Sequence, residues 1–370
     1  MQNIRLLLHL PNGYASRSVW LIVRGNQKYT EVFIVKKYLS FLPIARRAIF
    51  GIAAVLMAGG LAACSSGTKP DVQTKDTLSI VTTIFPEYDW VQNILGENKA
   101  EAEVTMLLDN GVDLHSYQPT ADDILKIRTC DLFIYVGGES DEWVEDALQE
   151  QANEDMVVIN LLDALGEQVK EEELVPGMEP EEKGAEEEDE GSEYDEHVWL
   201  SLKNASYLVN VISDAIQSID AANAETYKNN AEAYMEKLAA LDKEYQAAVT
   251  GANVTTLLFG DRFPFRYLVD DYGLSYYAAF PGCSAESEAS FETVLFLAQK
   301  VDELSLHSVI TIEGTDHKLA EVIVQNTKDK DQQILTMDSM QSATLWEVQN
   351  GVSYLSVMEE NLAVLKKALQ

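Results

Sequence analysis

The chain has 370 residues, and its 61 Asp and Glu against 27 Lys and Arg give a formal net charge of −34 at pH 7. Such a surface repels nucleic acid and anionic lipid and attracts cations, which argues against a nucleic-acid-binding protein. Charge alone identifies no ligand, because many secreted proteins are acidic only for solubility.

The N-terminal region has the features of an export signal. Arg46 and Arg47 precede an apolar run over residues 48–58, and Leu61-Ala62-Ala63-Cys64 follows. A basic segment, an apolar run too short for a stable membrane span and small residues before a cysteine are typical of a lipoprotein signal. Cleavage before Cys64 would leave a thiol that can carry lipid. The alternative is a short buried helix followed by an ordinary core cysteine.

We therefore predict that residues 1–63 are a leader absent from the mature protein, with residues 64–77 as a flexible tether. Residues 1–34 show no clear periodicity, and Val35 is an alternative translation start. Residues 64–370 carry 19 basic and 60 acidic residues. Residues 64–370 are long enough to form one large domain or two medium lobes.

Strand and helix patterns alternate through the first half of the mature chain. Apolar, β-branched runs predict strands at 78–84, 104–107, 132–136 and 157–159, and helical spacing predicts helices at 88–95, 120–127 and 142–148. This alternation predicts a parallel α/β sheet and an N-terminal lobe over residues 78–215.

Residues 170–196 interrupt this pattern with 14 acidic residues and several Pro and Gly. This segment cannot bury enough apolar surface to fold alone, so we predict a mobile acidic loop. Helical spacing resumes at 205–219. A linking helix is then predicted over 216–250, where apolar residues recur at steps of three or four: Tyr227, Ala231, Tyr234, Leu238, Leu241, Tyr245 and Val249.

The α/β pattern restarts in a C-terminal lobe over residues 251–370. Strands are predicted at 255–259, 276–280, 309–312 and 334–337, and helices at 264–272, 291–304, 318–326 and 353–369. The predicted fold is therefore α/β, with two parallel-sheet lobes joined by one long rigid helix.

Four histidines follow the leader, and two of them lie where a ligand could bind. His115 lies in a loop after the second predicted strand, and ligands of open α/β sheets bind at such strand ends. His197 follows the acidic loop. Imidazole suits zinc, manganese or iron, and nearby acids could orient both rings. Alone, however, each is more often a surface or capping residue. His307 and His317 are predicted in a turn and at a helix start.

The segments 113–120 and 197–200, together with the lipoprotein signal, the acidic loop and the long helix, resemble the cluster A-I solute-binding proteins of zinc and manganese ABC importers. The resemblance covers nearly all of residues 78–370. It implies a non-enzymatic monomer that captures a divalent metal between its lobes and delivers it to an importer permease. A lipid on Cys64 would anchor it to the extracellular face of the membrane.

The resemblance also implies a ligand set. His115 and His197 match the first two ligands of the family, and the third is usually a histidine at the start of the second lobe. This chain has Arg262 at that position, and a guanidinium cannot ligate a cation. Asp261, one residue earlier, is the natural substitute.

The fourth implied ligand is Asp338 in Met337-Asp338-Ser339, and Glu313 could replace either carboxylate. Two nitrogens and two carboxylates are compatible with tetrahedral Zn²⁺, and the oxygen donors also suit Mn²⁺. Cys130 and Cys283 lie far apart without CxxC spacing, and are interpreted as buried small apolar residues.

Two other functions remain open. A metal-dependent hydrolase would need an open coordination position and a general base, but the chain has no HExxH motif or nucleophile elbow. An adhesin or a binding protein that uses no metal is the third possibility. The acidic loop could either concentrate cations weakly or act as a solvated spacer.

Overall fold

The computed structural model describes residues 3–6, 19–26, 29–34, 77–149, 152–179, 194–284 and 289–370. The predicted lipoprotein signal with Cys64, and residues 180–193 of the predicted acidic loop, lie outside this part of the chain. Two units are separated, Met1–Asp71 and Val72–Gln370.

The first unit contains three strands that the sequence patterns did not predict. β1 (Asn3–Leu6), β2 (Val19–Asn26) and β3 (Tyr29–Ile34) pair antiparallel in the order β1-β2-β3. The sequence patterns did not predict these strands because residues 1–34 show no regular alternation of apolar and polar residues.

The second unit begins with strands and helices that alternate. These elements are β4 (Leu78–Thr82), α1 (Phe85–Leu95), β5 (Ala102–Met106), α2 (Ala121–Thr129), β6 (Leu132–Tyr135), α3 (Trp143–Leu148), β7 (Val157–Asn160) and α4 (Leu161–Leu165). All neighbouring strands are parallel, in the order β5-β4-β6-β7. The predicted capping box of α2 is present, since the Thr120 and Asp123 side chains each accept from the other's backbone N–H. The α4 helix was not predicted.

Two longer helices follow, α5 (Leu202–Ile219) and α6 (Ala224–Thr250). The predicted start of the linking helix at residue 216 is wrong, because residues 216–219 end α5. Asp220 terminates that helix and accepts hydrogen bonds from the Tyr227 hydroxyl at 2.6 Å and the Asn223 side chain at 2.8 Å. The apolar stripe of α6 is buried over its whole length, as predicted.

The second half of the unit forms another parallel sheet, in the order β11-β10-β8-β9. Its elements are β8 (Thr256–Phe263), α7 (Arg266–Tyr272), β9 (Ser275–Pro281), α8 (Phe291–Leu304), β10 (Ser308–Ile312), α9 (Lys318–Asn326), β11 (Gln333–Met337), α10 (Leu345–Gln349) and α11 (Tyr354–Ala368). The predicted fold class, two parallel-sheet α/β lobes, is confirmed.

Two tyrosine hydroxyls of α6 form hydrogen bonds with helices of the two lobes. Tyr234 donates to Asp89 of α1 at 3.0 Å, and Tyr245 donates to the Met358 carbonyl of α11 at 2.6 Å. A single helix thus carries buried polar contacts to both lobes. Within the described residues, no helix combines the length and apolar character that crossing a membrane would require.

The Asp89–Tyr234 contact generates a prediction about stability. Burial raises the pKa of Asp89 to about 6, although its hydrogen bonds from Tyr234 and the Tyr354 backbone oppose that shift. The folded state therefore binds this proton more tightly than the unfolded chain, whose Asp pKa is about 4. The contribution of Asp89 to stability increases as the pH falls through about 6 and is complete below about 4.

Replacing Asp89→Asn should remove roughly 2–3 kcal/mol of pH dependence from the free energy of unfolding between about pH 4 and pH 7. Urea unfolding of the metal-stripped protein at several pH values measures this slope. The exposed control Asp214→Asn, on α5, should match the wild type. Equal slopes for Asp89→Asn and wild type would contradict the assignment.

Candidate metal centre

His115 lies beyond the C-terminal end of β5, in a single turn over Leu114–Ser116. The Asp113 carboxylate begins this turn by accepting the His115 backbone N–H at 3.0 Å. The ring Nδ1 lies 2.7 Å from the Ser140 hydroxyl, which follows β6. Because Nδ1 is used in this contact, the ring presents Nε2 to the space between the lobes.

His197 is completely buried and is oriented by one carboxylate. Asp195 Oδ1 accepts the His197 backbone N–H at 2.9 Å and lies 3.0 Å from the ring Nδ1. A carboxylate at Nδ1 holds the ring proton on that nitrogen, so the Nε2 lone pair is available to a ligand. This contact agrees with the prediction that neighbouring acids orient the rings.

The two imidazoles converge on one point. Their Nε2 atoms are 3.3 Å apart. Two nitrogens that bind one tetrahedral zinc ion at ~2.0–2.1 Å are separated by about 3.3 Å. The side-chain nitrogen of Gln341, which follows β11, lies 2.9 Å from Nε2 of His115 and 2.5 Å from Nε2 of His197. Both ring lone pairs therefore face a single polar atom of the second lobe.

The electrostatic surroundings keep His115 neutral. Burial, and then the neighbouring His197, lower the pKa of His115 to about 3, against the opposing effect of Asp113. A neutral imidazole retains the lone pair that a metal ion needs, and it binds without first losing a proton.

Glu196 lies behind the His115 ring. Its Oε2 is 3.6 Å from the ring Nδ1 and has no hydrogen-bond partner among the described residues, while Oε1 accepts the Ser140 N–H. Burial raises the pKa of Glu196 to about 7. This carboxyl group therefore lies at the Nδ1 atom of the ring, whereas Nε2 faces His197.

Cys283 joins the two histidines from the second lobe. Among the residues that the structure describes, the His, Cys, Asp and Glu side chains that form a candidate metal group are His115, His197 and Cys283, with ligand atoms within 4.8 Å of one another. Cys283 lies two residues beyond the end of β9, after Gly282. Burial, followed by Glu196, Asp195 and Glu172, raises the pKa of its thiol well above the ordinary value.

Gly282 allows this close approach. A Cβ at residue 282 would lie 2.9 Å from Cε1 of His197 and 2.9 Å from the Phe263 carbonyl oxygen. Both distances are below normal van der Waals contact, so any larger residue would displace the histidine or the chain that carries Cys283.

The structure does not bring the three predicted carboxylates to the two histidines. Asp261 accepts the Ile312 N–H at 3.2 Å and the Thr315 hydroxyl at 3.0 Å, so it closes the turn after β10. The predicted substitute ligand is thus occupied within its own lobe. It lies in β8, which extends four residues beyond the predicted strand end.

Asp338 and Glu313 are likewise bound within the second lobe. Asp338 accepts the Met340 N–H at 2.7 Å, and Glu313 accepts the Ser339 N–H at 2.7 Å and its hydroxyl at 2.6 Å. Burial, and then Glu313, raise the pKa of Asp338 to about 7. These contacts order the chain that carries Gln341.

Arg262 contacts the first lobe. Its guanidinium forms an ion pair with Asp113, the residue that begins the His115 turn, and also donates to the Ser284 carbonyl at 3.4 Å. Burial alone would raise the pKa of Asp113, but the adjacent guanidinium outweighs that effect and lowers it. The position of the expected third histidine thus holds an inter-lobe ion pair.

Sequence reasoning overlooked Gln341 and assigned Cys283 to the core. One signal was available for each, since Cys283 and Gln341 lie three and four residues beyond predicted strand ends of the second lobe, the region where ligands of parallel sheets bind. His307 and His317, predicted outside the site, do not belong to the group of three.

A family model described as zinc-uptake complex component A, periplasmic, matches residues 80–368. The zinc-binding lipoprotein AdcA of Streptococcus pneumoniae is 32% identical over 311 residues, covering 83% of this chain and 58% of that protein. This chain therefore spans little more than half the length of that relative.

Another relative is matched almost completely. The high-affinity zinc uptake system protein ZnuA of Bacillus subtilis is 29% identical over 325 residues, covering 87% of this chain and 97% of that protein. Among solved structures, the Zn(II)-bound ZnuA-like domain of S. pneumoniae AdcA aligns with a TM-score of 0.62 and 29% identity, covering 79% of this chain and 99% of that domain. The metal-dependent lipoprotein YcdH of B. subtilis aligns with a TM-score of 0.64 and 25% identity, covering 80% and 100%.

The Asp195–His197 contact is testable. Replacing Asp195→Ala removes the group that fixes the ring proton on Nδ1 and should weaken zinc binding roughly 10- to 100-fold. Competition with a chromophoric chelator measures the affinity, and circular dichroism checks that the variant is folded. Asp214→Ala is the exposed control. An affinity equal to that control would show that Asp195 does not support His197.

Proposed function

Because this chain belongs to the zinc-uptake complex component A family, we propose that it captures a divalent transition metal between its two lobes and delivers it to an ABC importer permease. Zn²⁺ is the favoured cargo and Mn²⁺ the alternative. His115 and His197 are the proposed ligands of the first lobe.

The convergence of the two Nε2 atoms at 3.3 Å carries this proposal. Two imidazoles whose Nδ1 atoms already contact Ser140 and Asp195 form two corners of a zinc tetrahedron without rearrangement of either ring. The names of the relatives agree with this cargo, since AdcA is a zinc-binding lipoprotein and ZnuA a zinc uptake protein.

The absence of carboxylates from the proposed ligand set favours zinc over manganese as the cargo. Manganese favours sites rich in hard oxygen donors. Asp261, Asp338 and Glu313 accept hydrogen bonds inside the second lobe, so we do not include them in the proposed ligand set.

We further propose that residues 1–63 are removed and that Cys64 carries a lipid, which places residues 78–370 at the extracellular face of the membrane. The linking helix and its tyrosine contacts restrict the lobes to a small relative movement, and release follows when the permease engages both lobes. We propose no enzymatic turnover, no nucleic-acid partner and a monomeric state.

Metal stabilisation tests the proposal. Zinc at 100 times its dissociation constant should stabilise the metal-stripped protein by about 2.7 kcal/mol, with a smaller effect from manganese at the same concentration. His115→Ala and His197→Ala should each lose this stabilisation, because each removes one of two converging nitrogens. Thermal unfolding with and without metal provides the measurement.

The described histidines outside the group provide matched controls, since His307→Ala and His317→Ala should respond to zinc as the wild type does. A wild-type protein that neither metal stabilises would refute capture. Equal zinc responses in all four variants would refute the ligand assignment.

The acidic loop gives a second test. The structure describes the two ends of this loop, residues 170–179 and 194–196, where Glu171 pairs with Tyr194 and Glu173 contacts Arg266 and Tyr276. Deletion of residues 181–192 leaves these contacts in place and should keep the tight zinc affinity within about 3-fold of wild type, because ordering a chain of carboxylates around an ion costs conformational entropy. Isothermal titration calorimetry measures this. Loss of the tight site would instead place a ligand in the deleted segment.

A further inference from the structure

The second lobe must contribute donors to any closed site on the two histidines. Arg262 stands where the family resemblance implies a third histidine, and its guanidinium is paired with Asp113. The nearby carboxylates accept backbone hydrogen bonds in their own lobe. None of these groups is among the described side chains that cluster with the two histidines, whereas Cys283 is.

We propose that the Cys283 thiolate is the third metal ligand and that it makes the site selective for zinc over manganese. This inference rests on the proposed function. It stands on position, since the Cys283 sulfur and one ring nitrogen of each histidine lie within 4.8 Å of one another. Zinc binds both cysteine thiolate and histidine nitrogen, with Zn–S near ~2.3 Å.

The surroundings of Cys283 are built to hold it at the histidines. Its backbone N–H donates to Glu172 at 3.2 Å, and the adjacent Gly282 lets the chain pass directly against the His197 ring. Cys130, the other described cysteine, is buried in the first lobe and donates to the Ile127 carbonyl. Cys130 therefore lies in the core of the first lobe, whereas Cys283 lies at the two histidines.

Binding is balanced by loss of one proton. The S–H bond of Cys283 breaks, a sulfur–zinc bond forms, and the proton leaves to solvent. The site then carries one negative donor with two neutral imidazoles. Because a thiolate is a soft ligand, it favours zinc over the harder manganese ion.

Gln341 provides the fourth donor. In this structure its side-chain nitrogen contacts both Nε2 atoms, the place where a bound ion would contact them. The Ser339 hydroxyl lies 2.6 Å from Glu313 Oε1 and 2.9 Å from Gln341 Oε1, yet it has one proton to donate. Turning the carboxamide over would let Ser339 donate to Glu313 and accept from Gln341. That rotation presents the amide oxygen to the metal.

Cobalt substitution tests the thiolate directly. Co²⁺ bound to the full-length protein should show a sulfur-to-cobalt charge-transfer absorption in the near ultraviolet, which imidazole and oxygen donors do not produce. Cys283→Ser should lose this band. Cys64→Ser and Cys130→Ala should retain it, and Cys283→His should bind cobalt without the band.

Affinity separates this inference from the proposed function. Cys283→Ser should weaken zinc binding at least about 10-fold while changing manganese binding much less, so the ratio of the two affinities falls. A wild-type protein that binds cobalt through His115 without the charge-transfer band would overturn the thiolate ligand and leave metal capture intact. A wild-type protein that binds no metal would overturn both.

The carboxamide is tested by Gln341→Leu, which keeps the side-chain bulk and removes the oxygen. We expect weaker zinc binding with the charge-transfer band of the cobalt form retained. An unchanged zinc affinity would remove Gln341 from the ligand set, and loss of the band would show that Gln341 positions Cys283 rather than binding the metal.

Discussion

Two imidazoles whose Nε2 atoms lie 3.3 Å apart are the constraint on which the rest of the site depends. Each ring keeps its Nε2 directed at this point because its Nδ1 has a partner. Ser140 provides it for His115, and Asp195 for His197. The strand ends that carry these partners therefore determine where a cation can bind.

The lobes are held together around that point by contacts of different kinds. The Trp199 indole next to His197 donates to the Ser339 carbonyl at 2.8 Å, and Tyr354 of the last helix donates to the Trp199 carbonyl at 2.6 Å. Arg262 adds an ion pair to the turn that carries His115. Because an arginine stands where the family has a metal-binding histidine, residue 262 contacts the other lobe instead of a metal. A third metal ligand must then come from a neighbouring strand end.

Local sequence patterns predicted most elements of the second unit because apolar periodicity reflects which face of a helix or strand is buried. The stripe of α6 and the capping box of α2 are examples. The unpredicted elements had weaker signals. Helices α4 and α10 span five residues each, too few to establish a period, and β8 continues through the polar Asp261 and Arg262.

By itself the sequence determined the α/β class, the apolar face of the long helix and the two histidine segments, because each is encoded in a short stretch of chain. Only the tertiary structure decided which second-lobe groups reach those histidines. Gln341 contacts His115 across 226 residues, and Arg262 contacts Asp113 across 149. A carboxylate near a strand end can either bind a metal or accept hydrogen bonds from the backbone of its own lobe. Packing between distant segments makes that choice, and no local pattern records it.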